Sequence, residues 1–174
     1  LKYAKKKGVK FNYLRPNNLS TNKCGITKAV FHALDWFKNK KIYFDAVMLL
    51  QPTSPIRKKG EVNKIIKIFI KKKINSIVSV TKMKEHPFEC IKLKKNKWEY
   101  LENDPKKSTR RQDYLKNYYF IDGSVYLSKV SFLKKNNRFV VKNKTKLFRS
   151  SQYPAIDIDN SVDLKIGELF VNKR

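Results

Sequence analysis

The sequence is poor in the residues that build disulfide scaffolds and zinc sites. Its 174 residues include two cysteines, Cys24 and Cys90, and two histidines, His32 and His86. Neither cysteine lies in a CxxC or Cys/His pattern, which argues against a disulfide-stapled domain and against a zinc module. Such cysteine usage suits a reducing compartment, and we predict a cytoplasmic protein.

Long apolar runs and acidic residues are also scarce. No apolar run approaches the length that spans a membrane. Asp and Glu number 14 against 41 Lys and Arg, which gives a net charge of +27. The basic residues are spread over the whole length with no recognised nucleic-acid-binding module, so we interpret most of this charge as solvated surface. A basic nucleic-acid-binding domain stays open as an alternative.

The sequence does contain one apolar run that ends abruptly at a stiff polar loop. Residues 46–50 are apolar, as in a buried strand, and Gln51 ends the run. Pro52 and Pro55 then fix the backbone of the loop, and a helical pattern follows over 61–73. Ligands of open α/β sheets bind at the carboxyl ends of strands, so this loop is a candidate site, although an ordinary strand-to-helix connection has the same pattern.

The rest of the chain predicts one α/β domain over residues 1–174 with a mostly parallel sheet. A second buried strand at 74–81 completes a β–α–β unit that should be parallel. The stretch 88–117 reads as a hairpin with a two-residue turn followed by a polar arm. Further predicted elements are a helix over 26–38, an aromatic strand over 118–127, a short helix ending at Lys135, and short strands at 9–14, 139–141 and 146–148.

Two carboxylates stand two residues apart near the C-terminus. On a strand, Asp157 and Asp159 share one face, while Ile156 and Ile158 face the core. Adjacent carboxylates repel each other and favour a bound cation, by default Mg²⁺. The alternative makes them turn residues at the end of a strand. Asn160 and the acid three residues later form a pattern typical of a capping box that opens a final helix.

Eight short motifs occur in an order that resembles one enzyme family. They are LRP at 14–16, HAL at 32–34, LLQPTSP at 49–55, SIVSV at 76–80, EHP at 85–87, RQD at 111–113, DGSVY at 122–126 and DIDN at 157–160. In this order they resemble the acylneuraminate cytidylyltransferases, the CMP-sialic acid synthetase family. LLQPTSP together with DIDN and its following acid is the specific pair; the shorter motifs carry no weight alone.

The resemblance implies a Rossmann-like nucleotidyltransferase fold and a reaction. CTP and an acidic nine-carbon (nonulosonic) sugar would give the CMP-sugar and pyrophosphate, with Mg²⁺ as cofactor. The hairpin and arm would serve a homodimer. By the same resemblance the site residues are Arg15 near the nucleotide, Gln51, Arg111, Tyr126 and Phe139 around the sugar, and Asp157 and Asp159 as the catalytic metal ligands.

The sequence departs from the family pattern at its start and at single positions. The family opens with a strand and a glycine- and lysine-containing loop that grips the triphosphate, and residues 1–174 begin after it. We therefore predict an N-terminally truncated member lacking the first β–α–β portion, with weak or no CTP binding by this chain alone. An inactive remnant or interaction subunit is the alternative. Ile26, Glu89 and Asp122 replace the usual serine, lysine and asparagine, and the last two favour a relative of sialic acid.

Overall fold

The computed structural model describes residues 2–10, 12–21, 23–95, 97–103, 110–114, 117–151 and 155–171, without the side chains of Ala4 and Arg111. Within these ranges the chain forms both helices and strands. The helices are α1 (Lys2–Lys6), α2 (Ile26–Lys38), α3 (Glu61–Lys71), α4 (Val130–Asn136) and α5 (Ser161–Val171). The strands are β1 (Ala46–Leu49), β2 (Ser76–Lys82), β3 (Ile91–Lys94), β4 (Lys97–Tyr100), β5 (Tyr119–Lys129) and β6 (Lys146–Arg149).

The main sheet has four described strands in the order β1-β5-β2-β6. The long strand β5 runs antiparallel to both β1 and β2, whereas β2 and β6 are parallel. The predicted mostly parallel sheet is therefore wrong for the pairings, although β1, β2 and β6 do point the same way. The reason is that β5 inserts between β1 and β2, so the two strands of the predicted β–α–β unit are parallel without touching. The described residues form a mixed α/β fold.

Helix α3 covers one face of this sheet and builds the core. Its apolar residues recur at helical spacing, with lysines on the opposite face, so that Ile65 and Phe69 point inward together. The cluster they join comprises Ile77, Val125, Leu127 and Phe148. Full burial of one such side chain contributes about 1.5–3 kcal/mol. This packing fixes the positions of β2, β5 and β6, and with them the edge where β2 and β6 end.

The short strands predicted at 9–14 and 139–141 are wrong. The described residues of the first range pack on α2 without strand pairing, and the second range leads into a turn. In the described part of 9–14, Tyr13 packs its ring on His32 and Trp36 of α2. Residues 139–141 lead into a turn in which Thr145 Oγ1 accepts a hydrogen bond from Val141 N at 2.8 Å. The predicted helices at 26–38 and 61–73 and the hairpin are confirmed, within a few residues.

The hairpin β3–β4 is a two-stranded sheet with one apolar face. Its register pairs Ile91 with Tyr100 and Leu93 with Trp98, so these four side chains lie on the same side. They are 51–74% exposed.

Among the described residues, no helix combines the length and apolar character needed to cross a membrane.

Candidate functional site

The polar loop after β1 is held rigidly against β5 by an arginine. The Nε of Arg57 donates to Ser124 O and its Nη2 donates to Gln51 O, both at 2.9 Å. Partial burial lowers the pKa of Arg57, and the nearby negative charge of Asp122 acts in the opposite direction. Since a guanidinium stays charged at neutral pH, one charge-assisted hydrogen bond joins the loop to β5 and a second braces the loop internally at Gln51.

Asp122 is a buried carboxylate in the middle of β5. It is 7% exposed. Its oxygens accept hydrogen bonds from Ser79 Oγ, from Thr81 Oγ1 at 2.7 Å and from Ser124 N at 2.9 Å. Three donors satisfy a charge that would be costly to bury alone. Sequence reasoning missed Ser79 and Thr81, although two hydroxyl residues at alternate positions of an apolar strand are a signal for such a network.

Gly123 lets the side chain of Gln51 approach the backbone of β5. Its φ of +72° lies in the left-handed region. A Cβ at this position would lie 2.2 Å from Gln51 Oε1 and 3.0 Å from Ser54 Oγ. The lack of a Cβ at Gly123 therefore permits a close approach, and it is Gln51 that occupies the space.

The acid pair docks on the same loop. Ile158 N donates to Thr53 O at 2.7 Å, and Ser54 Oγ lies 3.2 Å from Asp157 Oδ1. The segment 155–159 is not a strand, yet exposure alternates along it, with both aspartates exposed and Ile158 partly buried. The strand predicted for this segment is therefore wrong, although both aspartates are exposed; Ser54 contacts Asp157 through its hydroxyl and Gln51 O through its backbone N.

A capping box fixes the far end of the acid segment, as predicted. Asn160 Oδ1 accepts from Val162 N at 2.9 Å and from Asp163 N at 3.1 Å. Asp163 Oδ2 accepts in return from Asn160 N and from Asp159 N, at 3.1 and 3.0 Å. The first turn of α5 therefore holds the backbone of Asp159.

The donor set fits a cation that a substrate helps to bind. The described residues contain no group of three or more His, Cys, Asp or Glu side chains able to hold a metal by themselves. Two exposed carboxylates, Asp157 and Asp159, are what Mg²⁺ uses when substrate phosphates and water complete its shell. We therefore regard these residues as compatible with Mg²⁺ brought in together with a phosphate-bearing substrate.

Tyr126 is influenced by the charges of two acids, the buried Asp122 and the exposed Asp157. Burial raises its pKa above the ordinary 10.0, and the negative charges of Asp122 and Asp157 raise it further. Its ring packs on Phe139, with 5.7 Å between centroids. Phe139 is only 5% exposed, so it offers little surface to a ligand. The negative charge of Asp157 therefore acts on Tyr126, whose ring packs on Phe139.

The proximity of Tyr126 and Asp157 predicts a measurable titration. Replacing Asp157 by Asn removes a negative charge, which favours the phenolate, so the pKa of Tyr126 should move down towards 10.0. Ultraviolet absorbance of ionised tyrosine, taken as wild type minus Tyr126→Phe, isolates this residue. Asp45→Asn, an exposed acid at the start of β1, is the control and should leave the titration unchanged. An unchanged midpoint in Asp157→Asn would contradict the shared site.

Two other predicted site residues are placed less directly. The described hydrogen bond of Arg15 is local, from its Nε to Ser20 Oγ at 3.1 Å. Arg111 begins a short helical turn (Arg111–Asp113), and its side chain lies outside the described part of the structure. The histidine of the EHP motif, His86, packs its ring on Tyr114, with 4.4 Å between the ring centroids.

No family model matches the chain, but several curated proteins are similar to it, and three of them follow. CMP-N,N'-diacetyllegionaminic acid synthase of Legionella pneumophila is 28% identical over 167 residues, covering 92% of this chain and 68% of that protein. Post-translational flagellin modification protein B of Campylobacter coli is 26% identical over 135 residues, 77% of this chain and 56% of its own length. N-acylneuraminate cytidylyltransferase of Streptococcus agalactiae is 26% identical over 126 residues, 71% of this chain and 30% of its own length.

The chain thus spans from about a third to about two thirds of the length of these curated relatives. Two of the three names, those of the Legionella and Streptococcus proteins, agree with the resemblance predicted from the ordered motifs. The chain is a homologue of proteins named as a CMP-legionaminic acid synthase and as N-acylneuraminate cytidylyltransferases, which confirms the predicted resemblance.

Proposed function

We propose that this protein is a cytidylyltransferase that joins the CMP portion of CTP to an acidic nine-carbon sugar and releases pyrophosphate. The observation that carries the proposal is that Ser54 contacts both Gln51 and Asp157: its backbone N donates to Gln51 O at 3.2 Å and its hydroxyl lies 3.2 Å from Asp157 Oδ1. The names of the relatives support the reaction class.

The reaction demands positioning and charge neutralisation more than covalent help from the protein. The anomeric hydroxyl of the sugar forms a bond to the α-phosphorus, the bond to pyrophosphate breaks, and the hydroxyl proton is lost. The amide of Gln51, held over Gly123, can donate to and accept from sugar hydroxyls. Tyr126, whose pKa is raised, stays protonated at neutral pH and can donate a hydrogen bond beside it.

Charge neutralisation falls to the acid pair and the arginines. Asp157 and Asp159 would hold Mg²⁺, which when bound supplies positive charge to the phosphate oxygens. Arg15 is proposed to lie near the nucleotide. Arg111 is proposed to pair with the sugar carboxylate, because a guanidinium binds carboxylates in a bidentate manner.

Within the nonulosonic acids we propose a legionaminic-type substrate over sialic acid. The substitutions at Glu89 and Asp122 favour this, and Asp122 is used here for an internal network of three hydrogen bonds. The relative named for a diacetylated legionaminic acid aligns over 92% of this chain.

The test is pyrophosphate release from CTP with each of two sugars, sialic acid and a diacetylated legionaminic acid. It uses the protein together with any segment that its gene encodes before Leu1. We expect Mg²⁺-dependent turnover with the legionaminic acid in preference to sialic acid. No turnover with any nonulosonic acid would overturn the activity and favour the remnant or interaction subunit. Turnover with sialic acid alone would overturn only the choice of sugar.

We further propose a cytoplasmic homodimer. Cys24 and Cys90 are free, in agreement with a reducing compartment.

The proposed dimer interface is the hairpin β3–β4, because an isolated two-stranded hairpin is marginal in water. The apolar face of β3–β4, formed by Ile91, Leu93, Trp98 and Tyr100, would be covered by a second copy, since a two-fold axis lets one patch bury its twin.

The hairpin face makes the oligomeric state testable. We expect Leu93→Ser combined with Trp98→Ser to convert a dimer into a monomer in sedimentation velocity, because it removes the apolar contact area. The matched control is Lys92→Ser combined with Lys97→Ser on the opposite face of the same hairpin, which should stay dimeric. A dimer that survives the first pair of changes would refute this interface.

A further inference from the structure

Glu61 makes a buried connection that the proposed reaction does not use directly. It is the first residue of α3 and is 9% exposed. Its carboxylate accepts hydrogen bonds from Ser151 N at 2.6 Å, from Ser151 Oγ at 2.8 Å and from Ser150 Oγ at 3.0 Å. The partners are about 90 residues away in sequence, so this contact joins two distant parts of the chain.

The position of Glu61 at the N-terminus of α3 stabilises its negative charge. A carboxylate at a helix N-terminus is stabilised by the helix dipole, and hydrogen bonds to a charged acceptor are the strong kind. A core position could be filled by an apolar side chain. The Glu61 carboxylate instead accepts three hydrogen bonds from one loop, the one that follows β6.

Ser151 is anchored a few residues before the acid segment 155–159. Ser150 N still donates to Val80 O at 2.9 Å, so the main sheet fixes the chain up to that point. Glu61 extends the anchoring to Ser151. Four residue steps separate Ser151 from Ala155, and they reach at most about 14 Å. Fixing Ser151 therefore restricts where the segment 155–159 can lie, while Thr53 and α5 hold its other end.

We propose that Glu61 is a positioning residue that keeps the Asp157–Asp159 pair docked on the polar loop; the proposal rests on the proposed function for its kinetic consequence. We call the hydrogen bonds of Glu61 to Ser150 and Ser151 the Glu61 clamp. Without this clamp the segment 155–159 occupies the docked geometry for only part of the time. The apparent affinity of a ligand falls in proportion to the competent fraction, so occupancy of one tenth would raise the required Mg²⁺ about tenfold.

The experiment compares Glu61→Ala and Glu61→Gln with wild type by two readouts. The first is hydrogen exchange of the Ile158 amide, which donates to Thr53 O; we expect faster exchange in Glu61→Ala. The second is the Mg²⁺ concentration for half-maximal turnover, expected to rise about tenfold, with turnover at saturating Mg²⁺ near that of wild type. Glu61→Gln keeps one acceptor oxygen and should be intermediate in both.

Asn63→Ala is the matched control, since Asn63 is exposed in the same first turn of α3. It should leave both readouts unchanged. Unchanged exchange and an unchanged Mg²⁺ requirement in Glu61→Ala would overturn the clamp even in an active enzyme. Wild type without turnover overturns the proposed function instead, and hydrogen exchange still decides the clamp. If Glu61→Ala fails to fold, Glu61→Gln carries the test, and wild-type behaviour in both readouts would refute the role.

Discussion

Asp157→Asn is expected to lower turnover about a hundredfold or more. Asn keeps the size of the side chain and an oxygen that can accept from Ser54 Oγ, so the docking at 3.2 Å survives while the negative charge is lost. A metal-bound charge contributes several kcal/mol to the transition state of phosphoryl transfer, and each 1.36 kcal/mol is about tenfold in rate. Pyrophosphate release across a Mg²⁺ titration is the measurement.

The result separates a metal ligand from a structural acid. A ligand variant should also need more Mg²⁺, and excess Mg²⁺ should recover little of the rate, whereas a clamp variant such as Glu61→Ala recovers it. Asp45→Asn, exposed and outside the loop, should behave as wild type. Normal turnover in Asp157→Asn would show that Asp157 does not hold the cation.

Gly123→Ala is expected to reduce kcat/KM for the sugar by about 10- to 100-fold. The new Cβ would lie 2.2 Å from Gln51 Oε1, so the amide has to leave its position. A hydrogen-bonding group that is lost from a buried site costs about 1–3 kcal/mol. The φ of +72° adds backbone strain of about 1–2 kcal/mol for a residue with a Cβ, which lowers stability as well.

Two controls distinguish displacement of Gln51 from strain. Gly8→Ala places a Cβ at a φ of +84° with nothing within 4 Å, and it should change kinetics little. In a Gln51→Ala background the Gly123→Ala change should no longer affect kcat/KM for the sugar, because its target is gone. Full additivity of the two changes would mean that Gly123 acts by another route.

The local features of the site could be predicted from the sequence because they are encoded within a few residues. The proline-stiffened end of the β1 run, the alternation of Ile158 with the aspartates and the capping box at Asn160 each need only a short window. The capping box is confirmed atom by atom.

The contacts that the sequence analysis missed are set by register and topology. An apolar strand pattern carries no direction, so the insertion of β5 between β1 and β2 could not be read from residues 118–127. Ser79 meets Asp122 only because of that pairing, across a register shift between Val78 and Val80. The clamp from Glu61 to Ser151 spans 90 residues, and no short motif reports it.

The hydroxyl of Ser54 has one hydrogen and two acceptors within reach, Asp157 Oδ1 and the carbonyl oxygen of Asp122, each at 3.2 Å. It can donate to only one of them at a time. When Asp157 turns outward to a ligand, the hydroxyl rotor can swing to the carbonyl, so its buried donor is never orphaned. Loss of the contact with Asp157 would therefore leave no unpartnered hydroxyl beneath the acid pair.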